Sequence, residues 1–410
     1  MRDAWREVPP TAGLPLRWRD FNPRRKSPSL EESLAAFLEV PSVQLECSGT
    51  AALIIALTTL KQTSSRRSVI LPAYTCPLVA LAVLHCGLTP VLCDLAPGSF
   101  DDCAESLERL CNTDVLAIIA THLGGRVCDL DRVTSIAQRH GAFVIEDAAQ
   151  SLGAVWRGRK AGTIGDIGFF SLAAGKGLTL YEGGALVARD PAVRKALEET
   201  SSRIAPYQLL WEWRRALQLI GYRLLYRPGM LRIAYGLPLR RALRKRQFTA
   251  AIGDDFTSSI PLHRVGSFRR NIGARAVTRL PAFLDALSMQ AAIRRRLLRS
   301  IPRIAVIGDA EGTRGTWPFF MVMMPTTEVR DLALNQLWTA GAGVTRLFIH
   351  ALPDYPYLQA QLGTHHVPNA RDFAARMLTI SNSPWLLKAD FHRICDVLAG
   401  VVTVSFANSR

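Results

Sequence analysis

The 410-residue chain has no CxxC pair among its eight cysteines (47, 76, 86, 93, 103, 111, 128 and 395). That spacing argues against a zinc ribbon, and cysteines inside apolar runs such as "PVLCDL" read as free thiols of a reducing compartment, with neither disulfides nor a metal. A secretory leader is also missing: "MRDAWREVPP" carries charge and proline where an apolar core would be needed. The longest uncharged run, 68–93, is cut by Pro72, Pro77, Gly87 and Pro90 into strand, helix and strand, so no membrane span is expected. These absences together point to the cytoplasm. Repeats and low-complexity tracts are lacking, and so is any nucleic-acid-binding motif.

Acid is scarce in one place. Between Arg203 and Arg246 there are 11 Arg/Lys against a single Glu212, a large part of the +16 net charge. Tryptophans and tyrosines interleave with those arginines, as on a helix lying at a membrane interface, or as on an insertion that packs its apolar face and solvates its arginines.

What is present is an alternation. After a loose N-terminal arm, "VILPAY", "TPVLCDL", "DVLAIIATHL", "GAFVIEDA", "IGFFSL" and "GALVAR" read as strands, most of them separated by helical patterns such as "LDRVTSIAQRHG". Apolar runs without strict alternation, spaced by helices, predict an α/β large domain with a mostly parallel sheet sandwiched by helices. Ligands of such a sheet bind beyond the carboxyl ends of its strands. The expected division is 1–265 for the large domain, with a basic helical insertion at about 200–265, and 266–410 for a smaller C-terminal α/β domain.

Three short stretches carry chemistry. "FVIEDAAQSLGA" ends a strand in Glu146-Asp147, giving either a helix-capping aspartate or a carboxylate at the sheet edge. "CSGTAAL" (47–53) sets small polar residues before a helix, giving an ordinary cap or an anion site. "FFSLAAGKGLTLYEGG" (169–184) holds Lys176 between two glycines, as a solvated loop lysine or as an amine whose pKa an apolar pocket lowers. An anion cradle, a carboxylate and a nucleophilic lysine, in that order, are what pyridoxal 5'-phosphate (PLP) requires.

Here the chain resembles the DegT/StrS sugar aminotransferases, PLP enzymes of fold type I. The matching segments are "SGTAAL" (48–53), "LPAYTCPLVALAVLHCGLTPVLCDL" (71–95), "HLGG" (122–125), "EDAAQSLGA" (146–154), "SLAAGKGLTLYEGG" (171–184) and, more weakly, "FIHALPDYPYL" (348–358) with "ARDFAARMLTISNSPWL" (370–386). The resemblance implies that Lys176 holds the cofactor aldehyde and then moves the proton. It implies that Asp147 meets the pyridinium nitrogen, Gln150 the 3'-oxygen, and Ser48, Gly49, Thr50 and Ser171 the phosphate. It further implies a homodimer that moves an amino group, with glutamate as donor, to a keto group of a nucleotide-linked sugar in polysaccharide biosynthesis. His122, His350 and Glu182 are candidate substrate contacts.

Two departures stand out. Cys76 occupies the position where the family carries a ring-stacking aromatic, so Tyr74, another side chain or Cys76 itself must supply that face. The Asn/Arg loop that reaches across the family's dimer is not recognisable between 200 and 265. Two alternatives stay open: a lyase or dehydratase on the same scaffold, against which Lys176 argues, and a non-catalytic PLP-binding regulatory protein docked on a membrane.

Overall fold

The computed structural model describes residues 5–24 and 27–407. Its centre is a seven-stranded sheet: β1 (Gln44–Glu46), β2 (Ser68–Pro72), β3 (Thr89–Cys93), β4 (Val115–Thr121), β5 (Phe143–Asp147), β6 (Ile167–Ser171) and β7 (Gly184–Ala188). The spatial order is β1-β7-β6-β5-β4-β2-β3. The run from β6 to β3 is parallel throughout, while β7 pairs antiparallel with β6 and β1 antiparallel with β7. All seven residues of β4 are buried, as expected of a central strand covered on both faces.

Helices between the strands are set by local chemistry. Ser48 caps the helix Gly49–Gln62 by accepting from the Ala51 N–H (3.0 Å). The helix Leu130–His140 starts at the Asp129 side-chain cap and stops at Gly141, which takes the left-handed conformation that glycine adopts freely. Register then brings the strand ends together: Thr121 lies opposite Asp147, Asp147 opposite Phe169, and Ser171 opposite Gly184.

A second, antiparallel sheet is formed by Ala305–Val306, Phe319–Met323, Met377–Ser381 and Val344–Thr345, in that spatial order. One face of it, with Phe320, Val322, Leu378 and Ile380, forms a separate core with the helices Thr327–Leu337 and Lys388–Ala407, which also draws in Val8, Leu239 and Ala251, while Phe319, Met321, Met323 and Met377 pack into the core of the large sheet. The arm before residue 20 is not loose. Val8, Ala12, Leu14 and Leu16 are buried, and its backbone bonds Gly341, Pro318 and Gly177. Sequence reading misjudged it because its partners lie more than 150 residues away and its prolines suppress any periodic signal.

The basic segment is helical: Leu209–Leu225, then the short turns Pro228–Leu231 and Arg232–Gly236, then Leu237–Arg244 and Phe248–Ile252. The buried Glu212 of the first helix pairs with Arg269, itself fully buried, which ties the segment to the body. Among the described residues no helix is long and apolar enough to cross a membrane.

Candidate active site

At the carboxyl ends of β4, β5 and β6 lies a cavity of about 250 Å³. Nine residues singled out from sequence were Lys176, Asp147, Gln150, Ser171, Ser48, Gly49, Thr50, Cys76 and His122, and all of them line it. Lys176 follows Gly175, whose positive φ of 79° lets the chain turn and send the side chain inward. Burial holds the Lys176 ammonium below the ordinary lysine range, although Cys76 and Asp147 pull the other way. The Asp147 carboxyl is pushed up by burial, opposed by the Ala149 N–H on Oδ1 (3.0 Å) and by Lys176 and His122. A buried amine thus shares one chamber with a buried acid, and each lacks full compensation.

One end of the chamber is an anion cradle. The helix Gly49–Gln62 points its first N–H groups and the positive end of its dipole there. Ser171 closes the same corner: a Cβ added to Gly49 would lie 3.3 Å from the Ser171 Cβ. Beneath it, a Cβ on Gly184 would sit 2.2 Å from the Ser48 carbonyl oxygen and 2.8 Å from the Gly49 nitrogen. Gly184→Ala should therefore force the cradle turn outward at about 1–3 kcal/mol, the ordinary cost of overpacking. The expected result is at least a tenfold rise in the cofactor's dissociation constant with the melting temperature only modestly lower, read by titration of the apoprotein.

The other walls are oriented by hydrogen bonds. Gln150 accepts the Gly124 N–H through Oε1 (2.8 Å), which leaves its NH₂ as the donor end. The His122 Nδ1 accepts from the Cys128 N–H (3.3 Å), so its Nε2–H donates to Glu146 (2.9 Å). Burial alone would raise the Glu146 carboxyl, yet His122 and the N–H groups of Gly162 and Gly165 outweigh it and hold it below the usual range. Glu146 is the residue that sequence reading passed over. It fixes His122 and the 162–165 turn behind Asp147, and its only signal was its adjacency to that acid.

Three nominated residues lie elsewhere. Tyr74 is buried behind the chamber, donating to the Phe348 carbonyl (3.3 Å) and accepting from the Phe348 N–H (3.2 Å), with its ring edge-on to Phe348 and Phe373. Phe348 does line the chamber, together with Cys76, whose thiol burial pushes up to about 12. Glu182 is bound by Arg215, the Trp211 indole N–H (3.2 Å) and His263 (3.4 Å), away from the cavity. His350 is half-buried against the Tyr355 ring, outside both this cavity and its neighbour. That neighbour, about 200 Å³, shares Gln150 and Lys176 with the first and is walled by Thr11, Tyr235, Phe319 and Arg346. No group of His, Cys, Asp and Glu suited to a metal occurs among the described residues.

Comparison with known proteins agrees with this geometry. The model of the DegT/DnrJ/EryC1/StrS aminotransferase family matches residues 21–204 and 264–399 and passes over the basic segment between them. The chain is similar to the GDP-perosamine synthase of Caulobacter vibrioides, 41% identical over 142 residues, covering 35% of this chain and 38% of that one. It is also similar to the GDP-perosamine synthase of Vibrio cholerae, 30% identical over 208 residues, 50% of this chain and 54% of that one. The matched stretches thus span about half or less of these two relatives. In fold, it resembles the Helicobacter pylori PseC aminotransferase of pseudoaminic acid biosynthesis, with a TM-score of 0.75 at 16% identity over 96% of this chain and 99% of that one.

Proposed function

The chain belongs to the DegT/DnrJ/EryC1/StrS aminotransferase family, and from that premise we propose that it is a PLP-dependent aminotransferase passing an amino group from glutamate to the keto group of a nucleotide-linked sugar. The observation that carries this reading is the single chamber holding Lys176, Asp147 and the Gly49–Ser171 cradle. Its donor set fits the cofactor: helix N–H groups for a phosphate, a carboxylate for a ring nitrogen, the Gln150 amide for a ring oxygen, and an amine for the aldehyde. When bound, PLP supplies an electron sink for the carbanion formed at the substrate carbon.

The chain's own residues do the rest. Asp147, ionised against a cationic ring nitrogen, keeps that nitrogen protonated. Lys176, whose burial disfavours the charged form, can take the proton from the donor's α-carbon and return it at the next step. Cys76 and Phe348 close one wall against water, and His122, fixed by Glu146, closes another. The acceptor enters through the adjoining chamber, whose wall includes Arg346 as a cation for a phosphate-bearing substrate. We read the active form as a cytoplasmic homodimer, with the 203–246 segment resting on the inner face of a membrane. Support for the membrane contact is the segment's one-signed charge and its exposed Trp213 and Leu217.

The test is direct. Purified protein loaded with PLP should be yellow, and borohydride should fix the cofactor to the Lys176 peptide. Glutamate should bleach the colour and release 2-oxoglutarate, and a panel of nucleotide-linked keto-sugars should then restore it. Colour that no amino donor bleaches would overturn aminotransfer in favour of a lyase or a binding protein.

A further inference from the structure

Leu210, Trp213, Leu217 and Leu224 recur at helical spacing along Leu209–Leu225 and stand 86, 62, 63 and 49% exposed. The opposite face of the same helix already buries Ala216, Leu219 and Tyr222. A helix apolar on both sides calls for a second cover. Met230, Ile233, Leu237 and Phe248 are further exposed apolar side chains of the same segment. Every exposed charge from 203 to 248 is positive, including Arg214, Arg227, Arg241 and Lys245, because Glu212 is buried under Arg269. A second copy of the chain, related by a twofold axis, would set these cations against themselves. An anionic surface with an apolar interior complements both features.

Beside this patch, between the helix and the N-terminal arm, lies a cleft of about 650 Å³ with few polar groups in its walls. Tyr181, Tyr222, Tyr226, Tyr235 and Leu231 line it, and Leu225, exposed on the patch, forms part of the same wall. Inward, the cleft shares Thr11, Gly175 and Tyr235 with the chamber that contains Lys176. The cleft therefore adjoins the chamber that holds the reacting amine.

We propose that the exposed face of 207–248 seats on an anionic membrane and that the cleft takes up the hydrocarbon chain of a phosphate-headed lipid from it. The inference rests on the membrane-surface reading above and is independent of aminotransfer. The chain could come from a bilayer phospholipid or from a lipid phosphate carrying the acceptor sugar; both present the same hydrocarbon tail and anionic head.

The experiment uses the full-length, PLP-loaded protein in flotation with vesicles of phosphatidylcholine alone or mixed with phosphatidylglycerol, and in calorimetric titration with dodecyl phosphate below its micelle concentration. Expected is binding to the mixed vesicles only, weakened by salt. The double variant Leu210→Glu, Leu217→Glu, at two exposed positions, should keep its cofactor and lose at least ~10-fold in vesicle affinity. A Cβ added at Gly221, on the cleft wall, meets nothing within 4 Å, so Gly221→Phe should fold, as a thermal melt would verify, while filling the cleft. It should lose dodecyl phosphate binding and keep vesicle binding that depends on charge. Competition of dodecyl phosphate with the keto-sugar would assign the chain to a lipid-carried acceptor, and its absence to bilayer phospholipid. Equal binding to both vesicle types would overturn the membrane reading, as would an oligomer that dissociates in the double variant while its vesicle binding stays intact. Dodecyl phosphate binding unchanged in Gly221→Phe would overturn the cleft alone.

Discussion

Lys176→Ala should lose at least ~10⁴-fold in turnover, the upper range for removing a general acid–base group, since the same side chain also holds the cofactor. The borohydride-stable link should vanish from the 176 peptide, while PLP continues to bind through the Gly49–Ser171 cradle. Removing the amine relieves its own burial cost but takes from Asp147 a group that offsets part of the acid's burial, so the two effects oppose and the melting temperature should change little. Added methylamine should restore part of the activity by serving as a free base in the vacated space. A variant that still traps cofactor covalently at full yield would mean that another amine does the work, and the chamber as described would be the wrong one.

Asp147→Asn should cost roughly 10²–10⁴-fold in turnover, taking ~3–5 kcal/mol for a buried charge deprived of its partner. The stability effect should have the opposite sign. Burial raises the Asp147 carboxyl above its unfolded value. As pH climbs from the unfolded to the folded pKa, the unfolded chain releases its proton first, so the apoprotein loses stability across that window and stays penalised above it. Asparagine carries no such charge. Near neutral pH the apo variant should therefore melt above the apo wild type, and adding PLP should close or reverse the gap. Calorimetry of both proteins, with and without cofactor, checks this. An apo variant less stable than wild type would mean that Asp147 is compensated by its neighbours alone and is not waiting for a cationic ring.

The large sheet was legible because its strands are uninterrupted apolar runs, and the site because Asp147, Ser171 and Lys176 follow directly from strand ends. Neighbouring positions in sequence sufficed there. They could not reveal that Glu182 is held by Trp211, Arg215 and His263, since that contact depends on how the basic helix folds back over the body. Tyr74 looked available for ring stacking because it lies two residues before Cys76, but in the bend that follows β2 it turns into the core, while Phe348, more than 270 residues on, lines the chamber in its place. The arm at 7–16 was illegible for the same reason: its order comes from distant backbone partners, and its own composition gives no sign of it.

The seat of Gly184 under Ser48 has a consequence for how the protein is made. The turn that grips the phosphate is synthesised early, yet its floor arrives some 135 residues later, when β7 inserts antiparallel between β6 and β1. A ribosome-tethered chain ending before β7 would carry a complete parallel core and still have no grip on the vitamin. Cofactor capture should thus come no earlier than β7's insertion, and its yellow colour would report that the large sheet is complete.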